Sequence, residues 1–348
     1  MRAVRFFLLG WAGVSALLGL QVSIPKLAPL EHDVRPSPGV KVKFLSDYLP
    51  SLLGTPGDSP VYVLEGAEPG GTAFVAGGTH GGEVGGIMAA ILLVERVRVE
   101  CGRLVVLPHA NNSAASYRDE SRAAGPPSFS VATASGERRF VIGSRLTHPG
   151  HQGEPDPPGG PEPSLEVPFD VPARNLDRRF PGKADGNLTD RIAAAVVALL
   201  LRERVDLAFD LHEAPPGSRL AMMVVANPKN VDLAAEAVLN LEAADLRLKL
   251  EESSATFRGL SHREWGDATP ARAFLFETPN SGMGRDAPGD PVADPDWPLA
   301  KRAGIHLAAL GAIVDAWNGG VESERKIVFS GLPGWAELAK AGLGSYLR

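Results

Sequence analysis

A chain of 348 residues is long enough for one large α/β domain or two smaller ones, and 44% apolar residues exclude wholesale disorder. A single Cys excludes a disulfide framework and any cysteine-rich zinc or iron-sulfur site. A net charge of -6 offers no field for gathering polyanions, which excludes nucleic acid as the main partner and leaves a small molecule or a short peptide.

The amino terminus carries Arg2 and Arg5, followed by fifteen uncharged residues, 6–20, with one hydroxyl. As a helix these would span roughly 22 Å, short of the roughly 30 Å hydrocarbon core. Residues 1–24 therefore read as an export signal or a short membrane anchor, and the location as exported, periplasmic or membrane-tethered. The alternative is a buried amino-terminal helix of a cytoplasmic protein.

Short strands are predicted at 61–64 and 72–76 around a turn at 68–71, and the apolar period then switches to a helix over 84–97. A strand at 104–107, a helix at 192–201, strands at 205–211 and 221–226, and a helix over 231–250 follow. A late central strand at 273–276 and a helix at 299–317 close the series. Apolar runs on this scale belong to a sheet covered by helices on both faces. Residues 118–172 break the rhythm: ten of the 30 prolines fall there, so the segment reads as an insertion without regular structure, either a lid or a surface decoration. The expected organisation is one domain over 40–320, interrupted by that insertion, with a short tail at 321–348.

Four local patterns carry chemistry. Gly77-Gly78-Thr79-His80-Gly81-Gly82-Glu83 lies where a strand gives way to a helix, the edge at which open α/β sheets place ligands. His80 and Glu83 are close enough in sequence to grip one zinc ion, or else form an ordinary helix start. His212, in Asp210-Leu211-His212-Glu213, supplies a third ligand and leaves a coordination position open for catalysis. Asp210 is placed to hold the other nitrogen of a ligand histidine, and Glu213 is either a pocket group or simply the next loop residue. Glu277 ends an apolar strand, where desolvation can raise the proton affinity of a carboxylate and suit it to acid-base work, or else it is an ordinary solvated strand-end residue.

Taken with Arg174-Asn175-Leu176-Asp177-Arg178-Arg179-Phe180-Pro181-Gly182 and Phe276-Glu277-Thr278-Pro279, these patterns resemble the zinc carboxypeptidase superfamily, in its succinylglutamate desuccinylase and aspartoacylase branch. The resemblance implies a three-layer α/β/α sandwich around a mixed sheet. It also implies one Zn2+ per chain on His80, Glu83 and His212, and Glu277 as general base. Arg178 matches the arginine that receives a substrate carboxylate, but Asp177 stands where the family carries Asn. Either Asp177 turns away to pair with Arg174 or Arg179, or the substrate end is not a simple acid. A second pocket arginine is expected upstream, with Arg118 and Arg122 as candidates. The implied activity is zinc-dependent hydrolysis of an N-acyl amino acid or a related small carboxylate-bearing amide. A carboxypeptidase for short or cell-envelope peptides and a noncatalytic binding module are the alternatives.

Overall fold

The computed structural model describes residues 31–118, 126–153, 172–283 and 289–348. Residues 1–24 and Arg122 lie outside the described residues. Among those described, no helix is long and apolar enough to cross a membrane.

In chain order the elements are β1 (Lys41–Phe44), β2 (Pro60–Glu65), β3 (Glu68–Gly77), α1 (Val84–Arg96), β4 (Arg98–Leu107), α2 (Asn112–Ala115), β5 (Ser128–Thr133), β6 (Gly136–Val141) and α3 (Pro149–Gln152). They continue as α4 (Leu188–Arg202), β7 (Leu207–Ala214), β8 (Met223–Ala226), α5 (Val231–Ala243), β9 (Lys249–Glu252), α6 (Ser261–Ala268), β10 (Arg272–Pro279), α7 (Leu299–Gly319), β11 (Val328–Ser330) and α8 (Trp335–Ala341). The main sheet runs β1-β2-β4-β3-β7-β10-β8-β9, with β11 also paired to β4. Its centre, β4-β3-β7-β10, is parallel, while β2, β8 and β11 join antiparallel, so the sheet is mixed.

The sheet is covered on both faces, giving three layers. On one side α1, α5 and α7 pack onto Val75, Phe209 and Phe276. On the other, α4 and Trp265 of α6 cover Phe74, Ala208 and Ala273. Alternation along β3 and β7 sends neighbouring residues to opposite cores, which is why these strands read as continuous apolar runs.

Four expectations change. Residues 118–172 contain regular structure: β5 and β6 pair as a hairpin through Phe129 and Phe140, whose rings stack at 5.4 Å, with Gly136 at φ +116° opening β6 directly after the turn. The helix expected over 231–250 stops at Ala243. Asp245 takes φ +60°, and Leu246, Leu248 and Leu250 recur at a period of two, so the chain enters β9 instead. The turn at 68–71 is the start of β3, absorbed by a register shift between Glu68 and Thr72. Residues 321–348 dock on the domain through β11 and through buried Leu338, Leu343 and Leu347.

Candidate metal centre

Three parallel strands end side by side at one edge of the sheet. The register sets Gly77 beside Leu211 and His212 beside Glu277, so β3, β7 and β10 deliver their polar ends to one place. Gly78, at φ +65°, turns the chain sharply after β3, and the amide of Glu83 closes a turn on the carbonyl of His80 at 3.1 Å. His80 and Glu83 thereby reach over the end of β7.

The structure brings His80, Glu83 and His212 together: all three are buried, and one donor atom from each lies within 4.8 Å of the others. Nδ1 of His80 is 2.7 Å from Oε1 of Glu83, and Nδ1 of His212 is 3.0 Å from Oε2. The far nitrogens face other groups. Nε2 of His80 meets Oδ1 of Asn175 at 2.9 Å, and Nε2 of His212 lies 2.8 Å from Oδ2 of Asp210, off the line of a good hydrogen bond. Asp210 is steadied by the hydroxyl of Thr79, which donates to Oδ1 at 2.8 Å. An imidazole whose Nε2–H is donated to Asn175 or aimed at Asp210 turns the lone pair of Nδ1 inward. Two such lone pairs and two carboxylate oxygens then face one point and repel unless a cation lies between them. Two imidazoles and a carboxylate are also the donor set of a catalytic zinc site, so the residues fit the ion. Burial opposes charge on both Glu83 and His212, yet His80 and His212 hold Glu83 well below the carboxylate range. Asp210 and Glu83 likewise hold His212 well above the usual imidazole value.

Glu277 is half-buried at the end of β10, with Oε2 enclosed and lacking a hydrogen-bond partner. Desolvation pushes its pKa up to about 8, with Glu83 and Asp177 adding to the rise against the pull of His212 and Arg145.

Among the arginines the outcome is mixed. Arg118 donates to the carbonyl of Pro126 at 2.6 Å. Arg174 donates to the carbonyl of Thr147, and Arg179 makes a two-pronged buried bridge to Asp190 at 2.7 and 2.8 Å. Neither pairs with Asp177, because Asp190, in the first turn of α4, has taken Arg179. Asp177 instead accepts the amide of Ser261 at 2.8 Å, and its other oxygen sits 3.5 Å from NH1 of Arg178, with both side chains buried.

Two residues beside the cluster were not anticipated. Arg145 is the arginine beside the cluster: NH1 is 3.3 Å from Glu83 and 3.3 Å from Nδ1 of His80, Nε has no partner, and the side chain is 35% exposed. It follows Gly143-Ser144 and is separated from the Arg178 motif by the proline-rich segment, which hides the spacing. Asn175 lay inside a quoted motif, but only the fold shows that it holds His80.

No protein-family profile matches this sequence, and no curated protein matches it. Solved structures do resemble it. The tripeptide-bound cell shape determinant Csd4 from Helicobacter pylori superposes with a TM-score of 0.50 at 13% identity, over 81% of this chain and 59% of that one. A metallo-carboxypeptidase from Burkholderia cenocepacia gives 0.48 at 12% identity over 82% and 66%, and a succinylglutamate desuccinylase from Silicibacter sp. TM1040 gives 0.44 at 18% over 82% and 70%. The chain shares its fold with Csd4. It spans 59% of the length of the Csd4 chain.

Proposed function

We propose that the chain is a zinc-dependent amide hydrolase that removes an acyl group from an N-acyl amino acid or a related small amide. The observation that carries this reading is the buried convergence of His80, Glu83 and His212 with the unpartnered carboxyl of Glu277 at the neighbouring strand end. Bound zinc would polarise a carbonyl and make a water acidic near neutral pH. Glu277, with a proton affinity raised by desolvation, takes a proton from the attacking water and returns it to the leaving amine. Arg145, with NH1 beside Glu83 and a free Nε–H, is placed to donate to the carbonyl oxygen as negative charge develops there. The region around Asp177 and Arg178 receives the remainder of the substrate.

Two features weaken the hold that Arg178 has on a substrate carboxylate. The Arg178 guanidinium donates to its neighbour's carbonyl at 2.6 Å and lies beside the Asp177 carboxylate, so its charge is already offset. The deciding experiment is a panel of N-succinyl, N-acetyl and short-peptide amides, each with its free and its amidated carboxyl end, assayed with and without chelator. Release of amino acid from an acylated monomer supports the deacylase. Stepwise shortening of peptides from the carboxyl end replaces it with a carboxypeptidase, and no metal-dependent cleavage of any member, in protein that binds zinc, leaves a binding module.

A further inference from the structure

The helix that follows the metal centre lacks its own cap. Glu83 is the N-cap residue of α1, but its side chain makes no capping bond because both oxygens face the histidines. The first amides of a helix need acceptors, and Ser, Thr, Asp or Asn usually supplies one from the N-cap itself. Here the acceptor comes from the next strand. Oε2 of Glu213, the residue after His212, takes the amide of Gly85 at 3.0 Å, while the backbone amide of Glu213 donates to Oε2 of Glu83 at 3.1 Å. One residue therefore grips both the ligand Glu83 and the turn that carries it.

Glu213 is itself fixed from α7 and β10. Arg302, fully buried, donates to its Oε1 and also to the carbonyls of Trp297 and Pro291. Asn280 donates to Oε2 at 2.8 Å, and the Thr278 hydroxyl reaches Oε1 at 3.2 Å. Gly85 makes the approach possible, since a Cβ there would lie 2.3 Å from Oε1 of Glu213.

We propose that the buried Glu213–Arg302 pair is a positioning device for the metal: it caps α1 in place of Glu83 and so frees the Glu83 carboxylate to act as a ligand. The proposal rests on the zinc reading above. A carboxylate spent on the metal cannot cap the helix, and a second carboxylate, held by a buried arginine, accepts the amide of Gly85 instead. Glu213 and Arg302 touch no substrate; their effect passes through Glu83.

The test is the zinc affinity of the purified full chain, measured by competition with a chromophoric chelator, alongside melting of the metal-free form. Glu213→Gln should weaken zinc binding roughly 10- to 100-fold, the scale seen when groups behind a metal ligand are removed. Arg302→Met should do the same and Arg302→Lys should restore part of the loss. Gly85→Ala keeps every charge and only pushes Glu213 aside, so it reports even if Glu213→Gln fails to fold. As a structural control, Glu203→Gln removes a buried carboxylate that holds Lys43, Tyr48 and Arg103 elsewhere in the fold, and should lower the melting temperature with zinc affinity intact. Folded Glu213→Gln and Gly85→Ala proteins that bind zinc as tightly as the wild type overturn the positioning role. Wild-type protein that binds no zinc overturns the metal reading itself.

Discussion

Glu277 stands opposite His212 in the parallel pairing of β10 with β7, so a carboxylate and a metal-facing imidazole leave the sheet on the same rung. Their separation is set by strand spacing rather than by a loop, which makes the pair rigid. Glu277→Gln keeps the shape and removes the base. Turnover should fall roughly 100-fold or more, with zinc content unchanged. A folded variant working at the wild-type rate would remove Glu277 from the mechanism, and a change confined to KM would make it a substrate contact.

Arg145 offers a sharper test, because it was found by geometry alone. Removing one donor from a developing oxyanion costs on the order of 100- to 1000-fold in kcat. Arg145→Met should show that loss in kcat, with KM much less affected. An equal loss of zinc affinity would instead assign Arg145 to holding Glu83 and His80.

The succession of strands and helices and the metal edge were legible because apolar runs of strand length alternate with helix-period segments, and because each polar motif closes one of those runs. His80, Glu83, His212 and Glu277 could be singled out since each sits within a residue or a few of a strand end. Arg145 could not, because its neighbours in space come from both sides of a proline-rich segment. The hairpin Ser128–Thr133 with Gly136–Val141 was hidden by the same prolines, although Phe129 and Phe140 flank a glycine turn. Asn175 and Glu213 were visible as letters only; what each one holds depends on which elements the sheet places beside it.

Asp177 sets a third expectation. With its carboxylate 3.5 Å from Arg178, an incoming substrate carboxylate meets a charge already compensated. Asp177→Asn should raise kcat/KM for substrates with a free carboxyl end about tenfold relative to their amides, the scale of a modest partly buried charge contact. An unchanged preference ratio would place the substrate end away from Arg178.

Metal-free protein should be most stable near neutrality, for two opposed reasons. Burial lowers the pKa of His306 to about 3 and of His262 to about 4, below the roughly 6.5 of an unfolded imidazole. Between those values the unfolded chain binds more protons, so this contribution is complete above about pH 6.5 and is lost as pH falls. Glu277 is shifted the other way, to about 8, chiefly by desolvation, so its contribution is present at low pH and lost as pH rises through 8. Melting curves from pH 4 to 9 should show both limbs, with Glu277→Gln flattening the alkaline one and His306→Asn the acid one between pH 6.5 and 4. Slopes unchanged in both variants would show that other groups govern the profile.

The place of β7 in the sheet has a consequence for synthesis. β7 lies between β3 and β10, yet the contacts that join it to the first metal motif span 130 residues of chain, as between Glu83 and Glu213. While the ribosome is still making the intervening segment, the edge of β3 at Ala73–Gly77 has no partner on that side. An apolar, unpaired edge is a template for pairing with another chain. A polypeptide stalled before residue 207 therefore carries an open seam down the middle of its future sheet, and chaperone protection is needed most in that interval. Metal capture comes after it, since the third donor arrives on the strand that closes the seam.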